Sequence, residues 1–294
     1  MTDRIGFIGL GLMGQPMALN LLRHHPLVVW NRSPQKADPL VKAGADLAAS
    51  PTDVFARTDV VFIMLTDEAA IDETLGRGAP SLEEHLSGRV LVQMSTVAPG
   101  YSRDLEADVV AAGGRYVEAP VSGSRGPAEA ATLVAMTAGH AQSVERIRPL
   151  LHAMCSSVID CGDAPNAAVT KLAINLYLIA NVAALAEATH FAQEHDVDMD
   201  RFFAVLDTGP MASNLSRAKA HKLAAADFSP QAAITDVLKN SRLVSEAARQ
   251  ARMASPLLDA ANALFGEAAN TGLGQEDMVA VIKAIQARTA KTRA

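Results

Sequence analysis

Cysteine is scarce in this sequence: only Cys155 and Cys161 occur in 294 residues. Two thiols so close together make neither a disulfide framework nor a metal-ligand set, so no metal site is expected. Reduced thiols in a cytoplasmic enzyme are the simplest account of them. Positive charge is also in deficit, with 26 Lys and Arg against 32 Asp and Glu and a formal net charge of -6. The absence of any basic block excludes the clustered cationic surface that nucleic acid requires. There is no internal repeat and no low-complexity segment. No signal peptide is expected, because the chain opens almost at once on a strand with a functional pattern.

That opening carries the strongest signal. Ile5-Gly-Phe-Ile-Gly9-Leu-Gly11-Leu-Met-Gly14 sets three glycines in G-x-G-x-x-G spacing between a short apolar strand and a helical pattern from Gln15 to Arg23. Gly9 suits the tight turn, Gly11 lets the backbone approach a pyrophosphate, and Gly14 lets helix and strand pack closely. The phosphates then lie on free N–H groups at the positive end of the helix. A second apolar strand, Leu27-Val-Val-Trp30, is followed by Asn31-Arg32-Ser33 with Lys36 a turn beyond. An NAD site wants a carboxylate there for the ribose 2′-hydroxyl. A guanidinium suits a 2′-phosphate instead, so NADP(H) is expected in preference to NAD(H).

Through about residue 160, β-branched runs alternate with helical stretches: Val60 to Leu65, Val90 to Gln93, Tyr116 to Glu118 and Thr132 to Thr137. This pattern predicts an α/β, Rossmann-type doubly wound sheet, mostly parallel, with helices on both faces and ligand at the carboxyl ends of its strands. From Asn166 to Glu194 there is neither Pro nor Gly. One long helix is predicted there, apolar nearly all round and therefore buried between domains or subunits. Lys171, Asn175, Asn181 and Glu187 interrupt it, leaving no clean run of about 20 apolar residues, so no membrane span is expected. The rest reads as helices joined by turns at 208–210, 227–230 and 271–274, with a polar, frayed end from Thr289. The expected domains are 1–163, binding NADP(H), and 164–294, comprising the long helix and an all-α C-terminal domain for substrate and oligomerisation.

Lys171 and Asn175 stand at i,i+4 spacing on one face of that apolar helix. An unpaired ammonium is costly to bury. Either both residues face solvent, or the lysine has a pKa lowered by desolvation and exchanges a proton with substrate. Ser122-Gly123 follows a strand, and its two backbone N–H groups and a hydroxyl can cup a carboxylate.

These residues resemble the β-hydroxyacid dehydrogenase family, which includes 3-hydroxyisobutyrate dehydrogenase, tartronate semialdehyde reductase and glyoxylate/succinic semialdehyde reductase. The resemblance is carried by Gly6 to Gly14, Met94-Ser-Thr-Val97, Gly114 to Gly123 and Lys171-Leu-Ala-Ile-Asn175. Val29 to Arg32 and Ser122 to Glu129 are closest to the glyoxylate/succinic semialdehyde reductase branch. The resemblance implies that Lys171 is the catalytic lysine, Asn175 the substrate-binding asparagine, and Ser122 and Gly123 the substrate-carboxylate loop. Thr96 matches a threonine near nicotinamide and substrate. Leu12 and Met13 fall in the pyrophosphate turn, Met64 and Leu65 at a strand end beside the cofactor, and Lys239 at a position approaching the cofactor. The implied activity is hydride transfer between NADP(H) and a small carboxylate-bearing aldehyde or ketone, or the matching β-hydroxy acid, in a homodimer or homotetramer. Asn240, Ala232 and the glycine-free stretch Ala164 to Val169 depart from the family pattern and leave specificity open. An imine reductase and a non-catalytic NADP(H)-binding protein are the alternatives.

Overall fold

The computed structural model describes residues 3–293. The chain forms two compact units, Met1–Lys171 and Leu172–Ala294, so the first turn of the long helix belongs to the first unit. In the first unit the strands are β1 (Ile5–Ile8), β2 (Leu27–Trp30), β3 (Asp46–Leu47), β4 (Val60–Ile63), β5 (Val90–Gln93), β6 (Arg115–Glu118), β7 (Val121–Ser122), β8 (Leu133–Gly139) and β9 (Cys155–Asp160). The helices between them are α1 (Gly14–Leu22), α2 (Asp38–Lys42), α3 (Pro51–Arg57), α4 (Glu68–Leu75), α5 (Ser81–Leu86), α6 (Pro99–Ala111), α7 (Arg125–Glu129) and α8 (Ala141–His152).

The sheet order is β3-β2-β1-β4-β5-β6-β8-β7, with β9 on β8. Strands β1 to β6 pair in parallel, while β8 runs antiparallel to β6 and β7. In register, Phe7, Val29, Phe62, Val92 and Val117 line one face, packed with Met17 and Leu21 of α1. Ile8, Val61, Ile63, Leu91 and Tyr116 line the other, against α3, α4 and α6. Burial on both faces explains why the sequence reads as unbroken apolar runs instead of alternation. The chain winds one way from β1 to β3 and the other way from β4, so the strand order reverses between β1 and β4, where such sheets bind ligands.

The expected strand at 132–137 is β8. Strand β9 was not expected, because Cys155-Ser-Ser-Val-Ile-Asp160 is half exposed and polar enough to lack an apolar run. Strands β3 and β7 are two residues each, too short to leave a periodic trace.

The long helix α9 (Asn166–Glu194) carries the chain into the second unit. There it packs with α10 (Met199–Thr208), α11 (Asn214–Ala224), α12 (Ile234–Gln250), α13 (Pro256–Ala268) and α14 (Val281–Arg293) around Leu172, Ile179, Val182 and Ala186. Within the single chain α9 has one buried side and one exposed side. Only a third of its most apolar window is buried, and Ile174, Tyr177 and Phe191 are exposed. By length and composition alone α9 meets the requirement for a membrane span, although its opposite face forms the core of this unit. The expectation of a frayed terminus is corrected. Helix α14 continues to Arg293, with Thr289 bonded to His190 and Arg293 paired with Glu194.

Between these helices, fully buried Asp277 accepts from Lys219 Nζ at 2.9 Å, Gln231 N at 2.9 Å, Ala232 N at 3.3 Å and Val279 N at 3.2 Å. One carboxylate thereby holds α11, the loop before α12 and the turn before α14. Asp277→Ala is expected to lower unfolding free energy by about 3–5 kcal/mol, since it leaves a buried ammonium uncompensated. Urea denaturation checks this.

Candidate active site

The glycine turn after β1 is shaped by backbone contact. Gly9 has φ +98°, and a Cβ there would lie 2.3 Å from the Met64 carbonyl oxygen. At Gly14 a Cβ would fall 1.9 Å from the Gly9 carbonyl oxygen. At Gly11 it would meet nothing within 4 Å. The protein itself therefore demands glycine at 9 and 14, whereas at 11 a side chain would only fill space open to a ligand. The N–H groups of Gly11, Leu12 and Met13 have no acceptor among the described residues. No acidic residue stands in the first turn of α1. Free donors at a helix start without a competing carboxylate fit an anionic pyrophosphate.

Neighbouring strand ends are knitted to this turn. Asn31 Oδ1 accepts from Leu10 N at 2.8 Å and Asn31 Nδ2 donates to Ser33 O at 3.0 Å, so its amide braces the β1 and β2 loops. Gln15 Nε2 donates to Lys36 O at 2.8 Å across the same gap. Arg32, Ser33 and Lys36 are exposed, and neither cation pairs with a carboxylate among the described residues. After β4, Leu65 N donates to Ser95 Oγ at 2.8 Å, which links Met64-Leu65 to Ser95-Thr96 after β5. The structure thus collects Gly9, Gly11, Leu12, Met13, Asn31, Arg32, Ser33, Met64, Leu65 and Thr96 along the carboxyl ends of four adjacent parallel strands.

Ser122 and Gly123 close β7, on the antiparallel extension of the sheet. Gly123 has φ +131°, and a Cβ would lie 2.6 Å from Leu133 Cδ2 and 3.0 Å from Pro127 Cβ. Glycine is required there by both backbone and space.

Lys171 lies in α9, half-buried, with no acceptor for its ammonium among the described residues. Burial lowers its pKa from 10.5 to about 8. One turn on, in the second unit, Asn175 is 2% exposed and its Nδ2 has no partner among the described residues. A buried donor of this kind can be satisfied by water or by a ligand, as can five other buried side-chain atoms, among them Gln93 Oε1 and Ser143 Oγ. Lys239 is in α12 of the second unit, half-buried. Sequence reasoning missed the bracing roles of Gln15, Ser95 and the buried Glu118, whose bonds run to backbone groups and, for Glu118, also to Ser102 Oγ, none of which leaves a sequence signature.

Residues 4–162 match the family model described as the NAD binding domain of 6-phosphogluconate dehydrogenase. Residues 166–285 match the one described as NAD-binding of NADP-dependent 3-hydroxyisobutyrate dehydrogenase. Glyoxylate/succinic semialdehyde reductase 2, chloroplastic, of Arabidopsis thaliana is 34% identical, covering 99% of this chain and 81% of that protein. The crystal structure of 3-hydroxyisobutyrate dehydrogenase from Salmonella typhimurium aligns with TM-score 0.86 at 27% identity, over 96% of this chain and 99% of that one. The chain belongs to the 3-hydroxyisobutyrate dehydrogenase-related family. It is an NAD(P)-dependent oxidoreductase with an N-terminal dinucleotide-binding sheet and an all-helical C-terminal unit, as the resemblance implied. A structure of Psf3 in complex with NADP+ and 2-OPP is similar as well, with TM-score 0.87 at 26% identity, covering 96% of this chain and 99% of that one.

The glycine contacts separate fold from ligand binding within this dehydrogenase. Gly14→Ala is expected to destabilise by more than about 1 kcal/mol, because the Gly9 carbonyl must move. Gly11→Ala is expected to keep the melting temperature and weaken dinucleotide affinity. Thermal unfolding with and without NADPH distinguishes the two.

Proposed function

We propose that this dehydrogenase transfers hydride between NADP(H) and a short carboxylate-bearing aldehyde or ketone, with Lys171 as general acid in reduction and general base in oxidation. The observation that carries the reading is an ammonium without an internal partner, desolvated until its pKa falls to about 8. A group so poised gives up or takes a proton near neutral pH, as acid–base catalysis requires. The name of the Arabidopsis relative, a glyoxylate/succinic semialdehyde reductase, supports this substrate class.

A bound nicotinamide supplies or accepts the hydride. Lys171 gives its proton to the substrate oxygen in reduction, and its charge favours the oxygen anion that develops. The unpaired Asn175 Nδ2 orients that oxygen, while Ser122 and the N–H of Gly123 hold the substrate carboxylate. Thr96, Met64 and Leu65 form the wall beside the ring, and Lys239 reaches the dinucleotide from α12. The exposed, carboxylate-free Arg32 and Lys36 favour a 2′-phosphate, and the NADP+ bound in the Psf3 structure is in keeping with that preference. We further propose a homodimer or homotetramer in the cytoplasm, with the exposed apolar face of α9 covered by another copy.

Lys171→Met is expected to reduce kcat for succinic semialdehyde by about 10²–10⁴-fold with NADPH affinity unchanged; steady-state kinetics and NADPH fluorescence titration check this. Reduction needs the protonated lysine, so its rate should fall as pH rises through about 8, and oxidation should rise over the same interval. Stability follows the same linkage. The unfolded lysine stays protonated to 10.5 and the folded one only to about 8, so the wild type gains stability between those values as pH rises. Lys171→Met should lack that gain and be the more stable protein at pH 7, as read from melting curves across pH. Arg32→Asp should lower the ratio of kcat/KM with NADPH to that with NADH; an unmoved ratio would remove the 2′-phosphate assignment.

A further inference from the structure

A buried carboxylate stands between the Ser122-Gly123 loop and the helix that carries Lys171. Glu118 ends β6, four residues before Ser122, and is 1% exposed. Its Oε2 accepts from Ala167 N at 3.0 Å and Ala168 N at 3.2 Å, both in the first turn of α9. Its Oε1 accepts from Ser102 Oγ of α6, which lies 2.6 Å from the Tyr116 hydroxyl. An ionised carboxylate only accepts, so Ser102 donates to Glu118 and Tyr116 donates to Ser102. Ala167 is four residues before Lys171, so in α-helical register its carbonyl receives the Lys171 N–H. The strand that leads to the carboxylate loop and the turn that bears the lysine are therefore tied through one side chain.

We infer that Glu118 is a positioning residue, which clamps the first turn of α9 to the end of β6 and so fixes Lys171 relative to the loop at Ser122-Gly123. The inference rests on the reading of Lys171 as acid and of that loop as the carboxylate cradle. Its role is geometric, not electrostatic. A glutamine at 118 can accept both helix N–H groups through its carbonyl oxygen. Its NH2 can donate to Ser102 Oγ, after which Ser102 donates to Tyr116. A leucine of similar volume can do neither.

The full-length protein is assayed with NADPH and succinic semialdehyde as Glu118→Gln, Glu118→Leu, Lys171→Met and the Leu–Met double variant. Amide hydrogen exchange is followed over residues 164–172. Glu118→Leu is expected to lose about 10²-fold in kcat, the cost of a misplaced catalytic group, with KM for NADPH unchanged. Exchange at Ala167 and Ala168 should accelerate. Glu118→Gln should restore most of kcat and the slow exchange, and the double variant should fall no lower than Lys171→Met alone. Wild-type kcat or unaltered exchange in Glu118→Leu, an equal loss in Glu118→Gln, or additive losses in the double variant would overturn the inference. If Lys171→Met itself keeps wild-type kcat, the acid assignment fails separately and the inference falls with it, while exchange still reports whether the clamp exists. Should Glu118→Leu fail to fold, Ser102→Ala releases Oε1 alone. It should then show a loss of about tenfold in kcat with KM for NADPH unchanged; unaltered kcat there is equally decisive against the clamp.

Discussion

The dinucleotide-binding unit depends on backbone packed against backbone where β1 turns into α1. Gly9 sits against the Met64 carbonyl and Gly14 against the Gly9 carbonyl, at distances that leave no room for a single added carbon. That contact seats α1 on the sheet, so Met17 and Leu21 reach the core while the N–H groups at its start stay free. Asn31, Gln15 and Ser95 then lock the adjacent strand ends to the same turn. Binding capacity here is a property of donors left over after the fold has satisfied itself.

A similar economy governs α9. Near its start Glu118 takes the amides of Ala167 and Ala168. By contrast, Lys171 Nζ and Asn175 Nδ2 have no partner among the described residues, and the proposed function assigns both to substrate.

Much of this was legible in the sequence. The three glycines could be read from their fixed spacing between strand and helix, and the steric demand for glycine is met within the protein at 9 and 14. The parallel strands could be read because both faces are buried, and Lys171 with Asn175 because polar residues on an apolar helix stand out. The Ser122-Gly123 turn gained meaning only from its companions, yet the packing at Gly123 shows why no other residue fits. What escaped depends on partners far along the chain. The positions of Glu118 and Asn31 were singled out but not their bonds: Glu118 bonds amides 49 and 50 residues away, and Asn31 braces a loop 21 residues back. Edge strand β9 escaped because Ser156, Ile159 and Asp160 are exposed and leave no apolar run or clean alternation.

The poise of Lys171 also bears on where the reaction draws its protons. With a pKa lowered to about 8, the lysine is mostly protonated at neutrality before any substrate arrives. In the proposed reduction the first turnover then spends an equivalent stored in the protein, and bulk buffer is drawn on only when the amine reloads. Under the proposed mechanism the resting protein is then precharged for reduction, and raising the pH above about 8 empties the store.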